Sequence, residues 1–144
     1  IASGGTIADL KTYVRILHSY MGDLNVSLTH LDTGTSVNLL TGSTCSGNDL
    51  DNTFSDLGSQ AAQGGCRNDP NTAYPPGAWL VPASPLSAFN GQTLAGDWRL
   101  AVSDASPQDT GTLVSWCMAL VPAPTPTPTS TPVIIPAYFP VVLR

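Results

Sequence analysis

Three stretches of the chain alternate apolar and polar residues with a period of two. In the first, Val14, Ile16, His18 and Tyr20 fall on one parity. After Gly22-Asp23, Leu24, Val26, Leu28 and His30 alternate with Asn25, Ser27 and Thr29. Successive side chains of a strand point to opposite faces, so this reads as two strands around a turn, each with one buried face. "TSVNLL" continues the pattern with Val37 and Leu39 inward. Farther on, "GDWRLAVSD" sets Trp98, Leu100 and Val102 against Arg99, Ala101 and Ser103. "GTLVSWCMALV" then places Val114, Trp116, Met118 and Leu120 on one face. The intervening residues Thr41 to Gly77 are rich in Gly, Asn and Ser and predict a loop-rich region. No segment repeats its apolar residues every ~3.6 positions, so the expected class is all-β, a sandwich or barrel of short strands.

The pattern stops at Val121. Residues 122–132, "PAPTPTPTSTP" from Pro122 on, form a Pro/Thr linker expected to be extended and a candidate for O-glycosylation. Residues 133–144 are an apolar tail, too short to span a bilayer. The domain is thus expected over 1–121. The tail resembles those of the form Tyr-apolar-Pro-apolar-apolar-apolar-basic that follow Pro/Thr linkers in some bacterial exported proteins. That resemblance implies a sorting or surface-retention role; a disordered end is the alternative. Ile1 falls in a strand context with no leader ahead of it, so the chain is expected to be the C-terminal piece of a longer precursor.

Charge narrows the partners. The net charge is -5, which disfavours a nucleic-acid backbone as partner. All ten acidic residues are Asp, a residue suited to turns because its short side chain bonds nearby backbone N–H groups. The cysteines are Cys45, Cys66 and Cys117, with no Cys-x-x-Cys pair to suggest zinc. Cys45 and Cys66 share the loop-rich region, and a disulfide between them is expected. It would remove roughly 3 kcal/mol of unfolded-chain entropy and would suit an oxidising compartment. Cys117 is then a buried or unpaired thiol.

Two patterns carry candidate chemistry. "DTGT" occurs at Asp32–Thr35 and again at Asp109–Thr112, and paired Asp-Thr-Gly loops are what an aspartic protease uses to share one proton between two carboxylates. Against that reading, Asp109 follows Pro107-Gln108, a turn approach, and no glycine after Gly111 exists to complete a second lobe. Both copies read as turns ahead of strands. His18 and His30 lie on strand positions with no Gly-x-Ser-x-Gly motif to serve, so no catalytic residues are assigned. Asp49, Asp51 and Asp56, with Asn48 and Asn52, contain enough oxygens to suggest a calcium site. The alternative is a solvated loop pinned by Cys45–Cys66.

Several motifs line up in order. "HSYMGDLNVSLTHLDTGTSVNLL" is similar to the His-x-x-x-Gly-Asp-Leu signature of the P/Homo B domain, "CSGNDLDNTFSDL" to its Asn/Asp loop, and "SPLSAFNGQTLAGDWRLAVSDASPQDTGTLVSWCMAL" to its C-terminal half. The resemblance spans roughly residues 1 to 121. It implies a jelly-roll-like β-sandwich or barrel of about eight strands, standing after the catalytic domain of subtilisin-like serine endopeptidases. The implied role is non-catalytic: to stabilise or assist an N-terminal catalytic domain of the same precursor, secreted or at the cell surface. His18, Gly22, Asp23 and Leu24 match the first motif. Phe89, Gly91, Gly96, Trp98, Asp104, Gly111 and Trp116 match the last, with His18 expected to bond buried backbone and both tryptophans to anchor the core. Ser55 replaces the first Asp of the loop's acidic pair. The family's last hairpin accommodates the Asp109 copy of "DTGT", whereas the Asp32 copy looks incidental. A stand-alone binding or adhesion module, using an exposed Trp79 and Tyr74, is the alternative.

Overall fold

The computed structural model describes residues 5–42, 45–64, 74–75, 77–106 and 108–122. Cys66, residues 123–132 of the Pro/Thr linker and the apolar tail lie outside them, while Pro122 ends the last strand. Among the described residues, eight strands form two sheets: β1 Ile7–His18, β2 Leu24–His30, β3 Thr35–Thr41, β4 Leu50–Phe54, β5 Gln60–Ala61, β6 Trp79–Val81, β7 Trp98–Asp104 and β8 Gly111–Pro122. One sheet has the order β5-β6-β4-β1-β8, the other β3-β2-β7. The only helical pieces among the described residues are short 3-10 turns at Met21–Asp23 and Leu86–Phe89. The architecture is a β-sandwich, as the alternation predicts, and its eight strands match the number that the family resemblance implies.

The alternation of β2 is reproduced residue by residue: Leu24, Val26, Leu28 and His30 are buried, and the residues between them are not. Each fully buried aliphatic side chain contributes about 1.5–3 kcal/mol over its exposed state, which locks the register. In β1 the inward residues are Leu10, Thr12, Val14, Ile16 and His18. Tyr20 departs from the expected face. It is exposed, because the chain leaves the sheet after His18 and turns through Met21–Asp23. That turn does not make a hairpin: β1 and β2 belong to different sheets, so Gly22-Asp23 is a corner that carries the chain across the core.

Two irregularities explain the other departures. On β3, Val26 faces Leu40 and Ser27 faces Asn38, so Leu39 is the extra residue of a bulge and both leucines are buried. On β8, Arg15 faces Ser115 while Ile16 faces Leu113. Val114, expected inward with Trp116, Met118 and Leu120, is the bulged residue and is exposed. The supposed loop from Thr41 to Gly77 contains β4 and β5. β4 carries Leu50, Asn52 and Phe54 inward, and Asn52 satisfies its buried amide by donating to the carbonyls of Pro75 and Ala78 at 3.0 Å each.

Candidate functional site

The ends of three strands meet at one end of the sandwich. β1 closes on His18, β7 on Asp104, and β8 opens at Gly111, which faces His18 across the β1–β8 ladder. The His18 ring is buried. Its Nε2 lies 3.1 Å from Asp104 Oδ2 and its Nδ1 2.8 Å from the Tyr20 carbonyl oxygen. Asp104 also accepts the Ser106 N–H, at 2.9 Å on Oδ1. That backbone bond first, and the His18 ring second, hold the Asp104 carboxyl below the usual carboxylate range. Gly111 is required by contact: a Cβ there would collide with the His18 ring and the Leu17 carbonyl.

The loop before β4 joins the same end. Asp49, at a left-handed φ of 52°, accepts the His18 N–H on Oδ1 at 2.8 Å and donates its own N–H to the His18 carbonyl at 3.0 Å. Ser19 Oγ donates to Asp109 Oδ1 at 2.7 Å. A cavity of about 500 Å³ is lined by Leu17, His18, Ser19, Asn48, Asp49 and Thr110–Thr112. A second, of about 240 Å³, runs from His18 and Asp104 toward Leu24, Val102 and Leu113. Leu17 lines the first and Leu113 the second, and both are exposed. Both His18 nitrogens are directed at protein oxygens of Tyr20 and Asp104, and the neighbouring Ser19 hydroxyl points to Asp109 instead of to His18. Nucleophilic catalysis needs a hydroxyl or thiol bonded to its base. This arrangement instead clamps β1, β7, β8 and the loop before β4.

The two "DTGT" loops lie far apart. Asp32 follows β2 at its His30 end, where its Oδ2 accepts the Asp97 N–H at 3.3 Å. Asp109 precedes β8 at the other end, where Leu24 pairs with Asp104. Six residue steps of paired strand, about 20 Å, run between those ends. Two carboxylates so placed cannot share a proton, and the aspartic-protease reading ends there. Asp32 is not incidental, however. It sits against Gly96, whose φ of 126° and lack of a Cβ leave room for the Asp32 carboxylate and for His30.

Over residues 7–120 the chain matches the proprotein convertase P-domain family. It belongs to that family. No curated protein and no solved structure matches the chain. P domains are non-catalytic accessory domains of subtilisin-like proprotein convertases, which agrees with a clamp in place of a catalytic constellation.

The motif residues of this P domain fall into two groups. His18, Asp104 and Gly111 meet at the end just described, beside the corner formed by Gly22 and Asp23, whose carbonyl accepts the Ala105 N–H. His18 therefore bonds a carboxylate as well as the backbone that the sequence led us to expect. Phe89, Gly91 and Trp98 gather at the opposite end. There Gly91, at φ 80°, donates its N–H to the Ile7 carbonyl, and Phe89 meets Trp98 edge-on at 5.1 Å. Trp98 and Trp116 pack against the core but are only half-buried.

The three candidate calcium carboxylates of the P domain are not brought together. Asp49 holds the His18 backbone. Asp51 accepts the Tyr13 hydroxyl at 2.7 Å and lies 3.5 Å from Arg15 Nε. Asp56 accepts the N–H groups of Leu86 and Ser87 at 2.7 and 2.8 Å, fastening the 3-10 turn there. Among the described residues no three His, Cys, Asp or Glu side chains converge as one ion would need, so this set does not fit a single calcium. Tyr74 also departs from expectation. It is buried, donates to the Ala62 carbonyl at 2.5 Å, and burial raises its phenol pKa to about 12. Trp79 is exposed, with Lys11 Nζ 4.3 Å above its ring. Cys45 is buried and disulfide-bonded, Cys117 is a free, exposed thiol, and Cys66 lies outside the described residues.

Proposed function

We propose that this chain is the accessory P domain of a secreted serine-type endopeptidase, placed after a subtilisin-like catalytic domain in one precursor and stabilising it. The family match over residues 7–120 carries the reading. The His18 end supports it. Exposed Leu17 and Leu113 line two cavities braced by part-buried hydrogen bonds, a partly apolar face suited to a neighbouring domain. A buried, disulfide-bonded Cys45 suits an exported protein, with Cys66 as the partner we assign. The apolar tail would then retain the protein at the cell surface.

Thermal inactivation of the precursor's peptidase, with and without residues 1–122, tests the proposal. The half-life at elevated temperature should fall at least tenfold when the P domain is removed, and Leu17→Asp should reproduce part of the loss. An unchanged half-life, or an upstream region with no subtilisin-type Ser/His/Asp set, defeats it. The adhesion-module alternative is weakened, because Tyr74 lies in the core and Trp79 is left as a lone exposed aromatic of the proposed patch.

A further inference from the structure

The two open sheets end on β5 and β8 and on β3 and β7. A free edge presents unpaired N–H and C=O groups, and proteins blunt such edges by shortness, bulges, charge or cover. β5 has only two residues. β3 is bulged at Leu39, and its Asn38 and Leu39 carbonyls accept the N–H groups of Ser84 and Ala83 at 2.9 and 3.1 Å, which cover part of its edge. β7 carries Arg99 and Asp104. β8 has none of these protections past the bulge at Val114, near its start. It is twelve residues long and contains no charged residue. Among the described residues it pairs with β1 alone.

The side chains of β8 repeat that contrast. Its inward residues Trp116, Met118 and Leu120 pack on the core but stay half-buried, whereas Leu10, Val14 and Ile16 of the adjoining β1 are buried. Between them Ser115, Cys117, Ala119 and Val121 are exposed on the outer face, all uncharged. Behind these, the outward charges of β1 are balanced: Lys11 lies 3.9 Å from Asp9, and Arg15 3.5 Å from Asp51. The chain as a whole has a net charge of -5, yet along this edge it offers a second copy no like charge to repel.

We propose that β8 pairs edge to edge with β8 of a second copy of this chain, antiparallel about a twofold axis, joining the two five-stranded sheets into one. A charged strand set against its own copy brings like charges together, whereas an uncharged one is its own complement. Residues directly opposite in an antiparallel pair share a face. A register centred on Met118 uses all of Ser115–Val121. On the core side it sets the two Met118 side chains together and Trp116 against Leu120 of the second copy, so the half-buried rows cover each other. On the outer side it sets Cys117 opposite Ala119. The two Cys117 residues become diagonal neighbours, with Cα atoms about 7–8 Å apart. Each copy has one such edge, so assembly stops at a dimer. Pairing begins past Val114 and does not use Gly111–Leu113 beside His18.

Sedimentation of the full chain tests the pairing. A monomer–dimer equilibrium is expected, with the dimer fraction rising with concentration. A short bismaleimide should link the dimer through Cys117 and fail to link the Cys117→Ser variant. The double variant Cys117→Lys/Val121→Lys places charge on the outer side of the edge. Within the chain those positions lie opposite Tyr13 and Asp9, which tolerate a lysine. The variant should weaken dimerisation at least tenfold and leave the melting of the dilute monomer unchanged. Val121→Lys alone, set beside Asp9, repeats the test with the smaller change and should weaken the dimer in the same direction. A monomer at every concentration up to about 1 mM overturns the proposal. So does a dimer that resists both lysine variants, that cannot be linked at Cys117, or that grows into larger species. Pairing and the accessory role are separate: a monomeric chain removes the first and leaves the second.

Discussion

At the His30 end the imidazole lies flat on Trp98, ring centres 4.3 Å apart and 6° from parallel, with Nε2 3.1 Å from the Ala95 carbonyl and Nδ1 3.2 Å from the Thr33 hydroxyl. It is fully buried. At the His18 end the ring is nearly as buried, yet it borders two cavities and its partner Asp104 is partly exposed. Each end also has one "DTGT" loop. Asp32 is exposed beside Gly96 and Asp97, and Asp109 is half-buried and bonded to Ser19. The same residue types thus close one end as a packed plug and leave the other as a braced opening. Burial alone does not distinguish a structural histidine from one beside a working surface; what lies past its hydrogen-bond partner does.

Substitutions can break this comparison. The largest expected effect is at the plug. Gly96→Ala combines a left-handed φ with a collision against Asp32 and His30, and should cost about 3 kcal/mol or more. Gly111→Ala meets only a ring edge and one carbonyl at ordinary φ, and should cost about 1–3 kcal/mol. Urea unfolding of the two variants gives the order directly, and a larger loss at Gly111 would reverse the assignment of the ends. Next come the histidines. His30→Leu forfeits the Trp98 stack and leaves the half-buried Ala95 carbonyl without its partner, about 2 kcal/mol. His18→Leu leaves partners that water can reach through the cavities, about 1–2 kcal/mol.

Acid titration sharpens the open end. The Asp104 pKa is lowered in the fold, so its contribution is present above the ordinary carboxylate value, 3.8, and is lost as pH falls below that through the folded pKa. Asp104→Asn should therefore flatten the acid side of the melting curve and lower its plateau above pH 5. A curve parallel to the parent's throughout would show the carboxylate to be unimportant. Smaller still is the difference between the two loop aspartates. Asp32→Ala and Asp109→Ala should each cost less than about 1 kcal/mol, because both hydrogen bonds, from the Asp97 N–H at 3.3 Å and from the Ser19 hydroxyl at 2.7 Å, are exposed. The smallest effect is expected from calcium. With Asp49, Asp51 and Asp56 each committed to separate groups, millimolar calcium and excess chelator should give the same melting temperature.

How much of this was legible in the sequence depended on what carried each signal. β2 was readable because every inward residue is apolar or a histidine and every outward one is small and polar. β4 was not: its central inward residue is Asn52, whose burial is made tolerable by carbonyls more than twenty residues away. Val114 was misplaced because a bulge shifts the phase of β8 without marking itself in residue type. Tyr74, just ahead of two prolines and a glycine, resembled a surface residue, but its hydroxyl is held by the Ala62 carbonyl. At the open end, motifs singled out His18, Asp104 and Gly111 separately. Their meeting depends on strand pairing across 86 residues of sequence, which no local pattern encodes.

The pairing of β1 with β8 has a kinetic consequence. The first strand can pair with β4 early but cannot gain its second partner until the last strand has been made, so one side of β1 stays open through most of synthesis, and covering it is a slow, long-range step. Cys117 lies in that last strand. Cys45 and Cys66 both precede it on a vectorially emerging chain, and thiols that emerge early can oxidise before the third arrives. Once β8 docks, Cys117 is held on the outer surface, away from buried Cys45. The order of appearance along the chain would then guard against the mispairings that three cysteines allow.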